Sequence, residues 1–297
     1  MRPAEGSVAN AMAGAPGDAS VPAPSDAEAA PAGMPPTQRW TLGVSYSGHG
    51  YEGWQSQPSG NTLQDKLEAA LSQFAAQPVA TVCAGRTDAG VHGLMQVVHF
   101  DTPLQREAFS WVRDTNSFLP PDIAVQWAQP VPDRFHSRAS AIARRYAYVL
   151  LESPVRPSVD AHRAGWVFRP MQAAPMRQAA DRLLGEHDFS SFRASGCQAH
   201  SPVKTMRRIA IERRGAYWRF EFEANAFLHH MIRNIMGCLV LVGQGLQPPE
   251  WMDAVLAARS RDAAAPTFAP DGLYFLGLVY EPDWGLPDRT PAYDWLP

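Results

Sequence analysis

The residues best placed to do chemistry lie in one decapeptide, Ala84-Gly85-Arg86-Thr87-Asp88-Ala89-Gly90-Val91-His92-Gly93, where Arg86 and Asp88 stand two apart among three glycines. Glycine permits tight backbone turns and close approach of a ligand to the main chain. A carboxylate beside a guanidinium stays ionised, and an ionised carboxylate can act as a nucleophile. The same residues also make an ordinary turn, with Asp88 bonded to the local backbone and Arg86 in a surface ion pair. Taken alone, the segment favours the structural turn, since most turn Asp residues are structural. His92 and His99 lie nearby, but no Ser or Cys nucleophile motif accompanies them, so they are read as positioning or structural groups. Farther along, the adjacent His229 and His230 invite a metal reading. Neighbours on a helix point about 100° apart and share one ion poorly, and HxxxH spacing is absent there, so no metal site is assigned. Cys83, Cys197 and Cys238 are far apart and without CxxC spacing, which suggests neither a disulfide framework nor zinc; each is expected to be a reduced, buried small residue.

These groups need a scaffold, and the apolar spacing outlines one. Trp40, Leu42, Val44 and Tyr46 alternate with small or polar residues, the period of a half-buried strand. Thr62 can cap a helix carrying Leu63, Leu67, Leu71 and Phe74, which Pro78 stops. Strands at 79–83 and 96–100 then flank the Asp88 loop, followed by a helix at 105–118 and a strand at 123–131. In the second half, strands are expected at 145–151 and 207–211, the latter turning at Gly215. A strand in which Trp218, Phe220 and Phe222 alternate with charges follows, and a last one lies at 273–280. Helices are expected at 175–184, 227–242 and 251–259. The 227–242 helix would pack Phe227, Met231, Ile235 and Met236 and turn its polar residues toward a cleft. This order favours an α+β fold with a mostly antiparallel sheet. No glycine-rich phosphate fingerprint follows a strand, so no nucleotide cofactor is expected.

Composition narrows the classes further. Residues 1–36 are nearly all Ala, Pro, Gly, Ser and scattered acids, too little apolar surface to offset chain ordering, and are read as a disordered tail. They resemble neither a signal peptide nor a mitochondrial presequence, so the cytoplasm is the expected location. The apolar run at 235–242 is too short to span a bilayer, and no membrane role is expected. The net charge is −3, yet residues 144–233 hold 15 Arg or Lys against 8 Asp or Glu. Local charge decides where a phosphate backbone sits. Of the 26 cations only Lys66 and Lys204 are lysines, and Arg can both fork onto phosphate and stack on bases.

The Asp88 segment contains GRTDAGVHG, the signature of the tRNA pseudouridine synthase A family, and the resemblance extends along the chain. Tyr51-Glu52-Gly53-Trp54-Gln55 resembles YxGWQ, residues 96–100 resemble QVVHF, and Phe135-His136-Ser137-Arg138 resembles FHAR. Ala143-Arg144-Arg145-Tyr146 matches ARRY, residues 188–193 resemble DFTSFR, 225–234 resemble NAFVHHMVRN, and Gly272-Leu273-Tyr274 opens like GLYL. One departure is Ser47, where the family has Asp; the N-terminal stretch is another, and Met34 is a candidate start. The resemblance implies the pseudouridine synthase fold, two similar α/β halves (37–142 with the catalytic loop, 143–285 with a basic RNA-binding surface) around a central cleft, then a tail at 286–297. It implies that Asp88 attacks the target uridine, that Arg86 pairs with Asp88 and helps fill the space left in the RNA, and that Tyr146 lies against the flipped base. Arg144, Arg233 and His229 are assigned to substrate binding. It further implies a cofactor-free homodimer acting on tRNA at uridines 38, 39 and 40 of the anticodon stem-loop.

Overall fold

A computed structural model of the chain describes residues 36–287. The expected tails at 1–36 and 286–297 fall almost wholly outside the described residues. Strands β1 (Gln38–Tyr46), β2 (Val82–Cys83), β3 (His92–Thr102), β4 (Ile123–Val131) and β5 (Ala141–Glu152) precede β6 (Gly165–Val167), β7 (Gly185–Asp188), β8 (Val203–Arg214), β9 (Tyr217–Ala224) and β10 (Leu273–Tyr280). Helices are α1 (Leu63–Ala75), α2 (Ala108–Phe118), α3 (Ala173–Asp181), α4 (Met231–Gly243) and α5 (Trp251–Ala258). The strands form one sheet in the order β4-β1-β3-β10-β5-β9-β8-β7, with β2 on β3 and β6 on β5. Only the β3–β10 and β5–β6 pairings are parallel, so the sheet is mixed and mostly antiparallel, and the fold is α+β.

The last strand of the sheet in sequence sits near its middle. β10 pairs with β3 at His92 and Gly93 and with β5 at Tyr146, joining elements from the two ends of the chain beside the Asp88 loop. The β5 strand begins at Ala141, so the expected division after residue 142 falls just inside it.

Each wing of the sheet has its own core. On one side Trp40, Phe74 and Phe100 surround Trp111 with ring centroids 5.0–5.9 Å away, against the apolar stripe of α1. Thr62 caps α1 by accepting the Asp65 N–H, and Ala76 ends it in a left-handed conformation just before Pro78. On the other side α4 is buried nearly all round, as expected of a helix apolar on every face. It packs against Trp218, Phe220 and Phe222 of β9 and against Met176 of α3. A β-carbon on Gly237 would lie 2.3 Å from the Pro266 carbonyl oxygen, so glycine lets the 264–270 segment run directly along α4.

Most expected elements are present, with shifted ends. The expected helix start at 227 is corrected to Met231, and the strand at 79–83 shrinks to Val82–Cys83. The short β6 and β7 have too few residues for a periodic pattern to mark them in the sequence. The cysteines are free, but only Cys238 is buried; Cys83 and Cys197 are half-buried, so burial of all three is corrected.

Candidate active site

The Asp88 loop is held by its main chain. Thr87 O accepts the Trp54 N–H at 3.0 Å, and Val91 N–H closes a turn onto Asp88 O at 3.1 Å. Gly53 has φ 91°, and a β-carbon there would lie 2.7 Å from Thr87 O, so only glycine lets this neighbouring loop approach. The Tyr46 hydroxyl is 2.9 Å from Thr87 Oγ1, while Gln96 clamps both the N–H and the carbonyl of Gly85. Pro270 packs on Gly90 from the segment that runs along α4.

Three cationic or titratable groups converge on the carboxylate that this frame presents. Arg233, on the first turn of α4, donates from Nη1 to Asp88 Oδ2 at 3.2 Å and from Nε to the Phe268 carbonyl at 2.8 Å. His229 Nε2 is 3.3 Å from Asp88 Oδ1, and His230 Nε2 is 3.4 Å from Asp88 Oδ2. The expected Arg86–Asp88 pair is corrected: Arg86 reaches instead to Gln198 Oε1 at 3.4 Å, and Arg233 supplies the guanidinium. Arg233 reaches the carboxylate from α4, 145 residues along the chain.

The placement of both imidazoles on a helix is corrected as well: α4 begins after them, and His230 stands at its N-terminus with φ 60°. That left-handed residue turns the two rings to the same side, centroids 4.0 Å apart. Leu228, buried beneath, and the Ala194 N–H donated to His229 O fix the turn. Burial pushes the His230 pKa down, partly opposed by Asp88, and favours its neutral form. A left-handed non-glycine residue costs about 1 kcal/mol, which the surrounding contacts must supply.

Tyr146 is half-buried on β5, its ring edge-on to Phe227 at 5.1 Å and tilted against Phe275 at 5.0 Å. Burial, with the nearby Asp88 charge adding to it, pushes the phenol pKa up, so the hydroxyl stays protonated. Arg144, expected to meet substrate, donates to the main-chain carbonyls of Ala141, Asn225 and Arg138 at 2.8–3.1 Å. It braces the wall of the site. Arg145, its neighbour on β5, pairs with Glu223 at 3.2 Å.

His92 and His99 hold backbone. His92 Nε2 donates to His162 O at 2.6 Å and its Nδ1 accepts the Gly48 N–H at 3.2 Å. Ser47 Oγ lies 3.5 Å from the same Nδ1. His99 Nδ1 accepts the Ser137 N–H at 3.2 Å, and burial pushes its pKa down to about 4. Much of the basic middle region is engaged within the chain, Arg208 and Arg219 on Glu221, Arg213 on Glu152, and Arg182 on Asp253 and Glu250. The more exposed of these pairs contribute about 0–1 kcal/mol each, while Arg219 is largely shielded from water.

The chain matches the family model described as tRNA pseudouridine synthase over residues 43–138 and 179–281, which together include Asp88, His229, His230 and Arg233. It is 75% identical over 263 residues to the tRNA pseudouridine synthase A of Polaromonas naphthalenivorans (strain CJ2), covering 87% of this chain and 100% of the relative. Identity is 71% over 277 residues to that of Paracidovorax citrulli (strain AAC00-1) and 72% over 273 residues to that of Acidovorax ebreus (strain TPSY), with the same coverage. With the family model spanning both wings of the sheet and the relatives aligned over their whole length, the chain belongs to the tRNA pseudouridine synthase family.

Proposed function

We propose that, within the family reaction of isomerising uridine in tRNA to pseudouridine, this chain acts at uridines 38, 39 and 40 of the anticodon stem-loop with Asp88 as nucleophile. The observation that carries the reading is the Asp88 carboxylate, held between Arg233, His229 and His230. The reaction breaks the bond from the ribose to uracil N1, turns the base, joins the ribose to C5, and moves a proton from C5 to N1. Substrate and product are isomers, so neither a redox cofactor nor an energy source is required.

The glycosidic carbon is shielded in a stacked helix, so the base must flip out at a cost of a few kcal/mol. Stacking on an aromatic ring returns roughly 1–3 kcal/mol per base. Tyr146, held edge-on by Phe227, is the ring assigned that part. Arg86 makes an exposed contact to Gln198 at 3.4 Å, which suits a side chain that fills the space the base leaves. His229, the more exposed imidazole, and Arg233 are assigned to the substrate side of Asp88, and Arg144 to shaping the wall. The reading includes a homodimer in the cytoplasm.

The test is to incubate the full chain with unmodified tRNA in chelator, map pseudouridine, and compare wild type with Asp88→Ala. Product is expected in the anticodon arm from wild type alone. Product from Asp88→Ala would remove the nucleophile assignment; product in another arm would remove the positional one. Absence from both, with tRNA still bound, would favour a catalytically silent RNA binder.

A further inference from the structure

Two imidazoles and a carboxylate meet where helical spacing argued that they would not. A ligating atom from each of Asp88, His229 and His230 lies within 4.8 Å of the other two, the one such trio of His, Cys, Asp or Glu found among the described residues. This donor set suits borderline divalent transition ions. Tetrahedral coordination at about 2.0–2.1 Å puts neighbouring ligand atoms roughly 3.3 Å apart. His229 Nε2 is already 3.3 Å from Oδ1, while His230 Nε2 is 3.4 Å from the other oxygen, Oδ2, so the His230 ring must rotate toward Oδ1 to complete the set. The His229 side chain is 43% exposed, which leaves a path of entry.

Arg233 works against such an ion, since its guanidinium is 3.2 Å from Asp88 Oδ2. The two oxygens can divide the task, Oδ2 remaining with Arg233 while the ion takes Oδ1. A permanent cation so close weakens the site and suits reversible occupancy better than a resident metal. We propose that Asp88, His229 and His230 form a binding site for Zn²⁺ or a similar borderline divalent ion, and that its occupancy stops the isomerisation by capturing the carboxylate. The inhibitory half rests on Asp88 being the nucleophile; the binding half does not.

Binding is tested on the metal-free full chain by calorimetry and by competition with a chromophoric chelator, with Zn²⁺ as the probe. One ion per chain is expected at this site. His229→Ala, His230→Ala and Asp88→Asn should each weaken binding at least tenfold, with unchanged melting confirming that they fold; His229→Gln serves if the alanine variant does not. Cys197→Ser should leave binding unchanged, although its sulfur accepts the His229 main-chain N–H at 3.4 Å. Zn²⁺ should then abolish pseudouridine formation by wild type and chelator restore it, while Mg²⁺, which prefers oxygen ligands, does not inhibit. No saturable binding, unchanged affinity in the histidine variants, or loss in Cys197→Ser overturns the site. Binding without inhibition overturns the inhibitory half. A wild type with no activity on tRNA would sink the functional reading, and the titration would still judge the site.

Discussion

Replacing Arg233 with alanine separates the charge that faces Asp88 from the rest of the site. The guanidinium is only 14% exposed and Asp88 22%, so the 3.2 Å contact is partly shielded from water, and Arg233→Ala leaves the carboxylate with two titratable imidazoles alone. A hydrogen bond to a charged group contributes about 1.5–3 kcal/mol. If that contribution is fully felt in the transition state, each 1.36 kcal/mol is tenfold in rate, so kcat/KM should fall about 10- to 150-fold. Arg233→Lys keeps a charge, but a single ammonium cannot fork between Asp88 and the Phe268 carbonyl as the guanidinium does, so an intermediate loss is expected. Single-turnover pseudouridine formation with enzyme in excess reads the chemical step, and a tRNA binding titration reads the ground state. A variant within twofold of wild type in the single-turnover rate refutes the reasoning. So does a loss confined to tRNA affinity, which would make Arg233 a phosphate contact.

Tyr146→Phe should retain most activity, whereas Tyr146→Ala removes the ring held by Phe227 and Phe275 and should lose up to about 150-fold in single-turnover rate; the reverse order would end the stacking argument. His99 bears on stability against pH. Its folded pKa of about 4 lies below the ordinary 6.5, so the unfolded chain binds the proton first, and stability present above pH 6.5 is lost as pH falls toward 4. The loss amounts to up to about 3 kcal/mol by linkage, and urea unfolding of wild type and His99→Gln at pH 7.5 and 5 should show a flatter dependence in the variant. Gly53→Ala should lower the melting temperature and the activity together, because φ 91° and the 2.7 Å approach to Thr87 O leave no room for a β-carbon; unchanged melting would show that the loop next to Asp88 adjusts freely.

Much of this molecule is legible in its sequence. The strands with period-two burial, such as Trp218, Phe220 and Phe222, and the capped helix after Thr62 follow from local periodicity, because each needs only one buried face and a stop signal. The glycine frame of Asp88 is equally local, and the resemblance along the chain singled out the same loop. The partners of Asp88 are another matter. Sequence proximity suggested Arg86, yet the pair is made by Arg233, 145 residues away, because β10 and the 264–270 segment bring α4 against the loop. Helical spacing set His229 and His230 apart, yet one left-handed residue before the helix brings both rings to one carboxylate, and no periodic signal marks that residue. Arg144 carries the charge of a substrate contact, but three carbonyls engage it. Local pattern determines which face of an element is buried. Which charged groups meet depends on how distant elements close over one another and on single backbone dihedrals at their ends, and only the folded chain decides those.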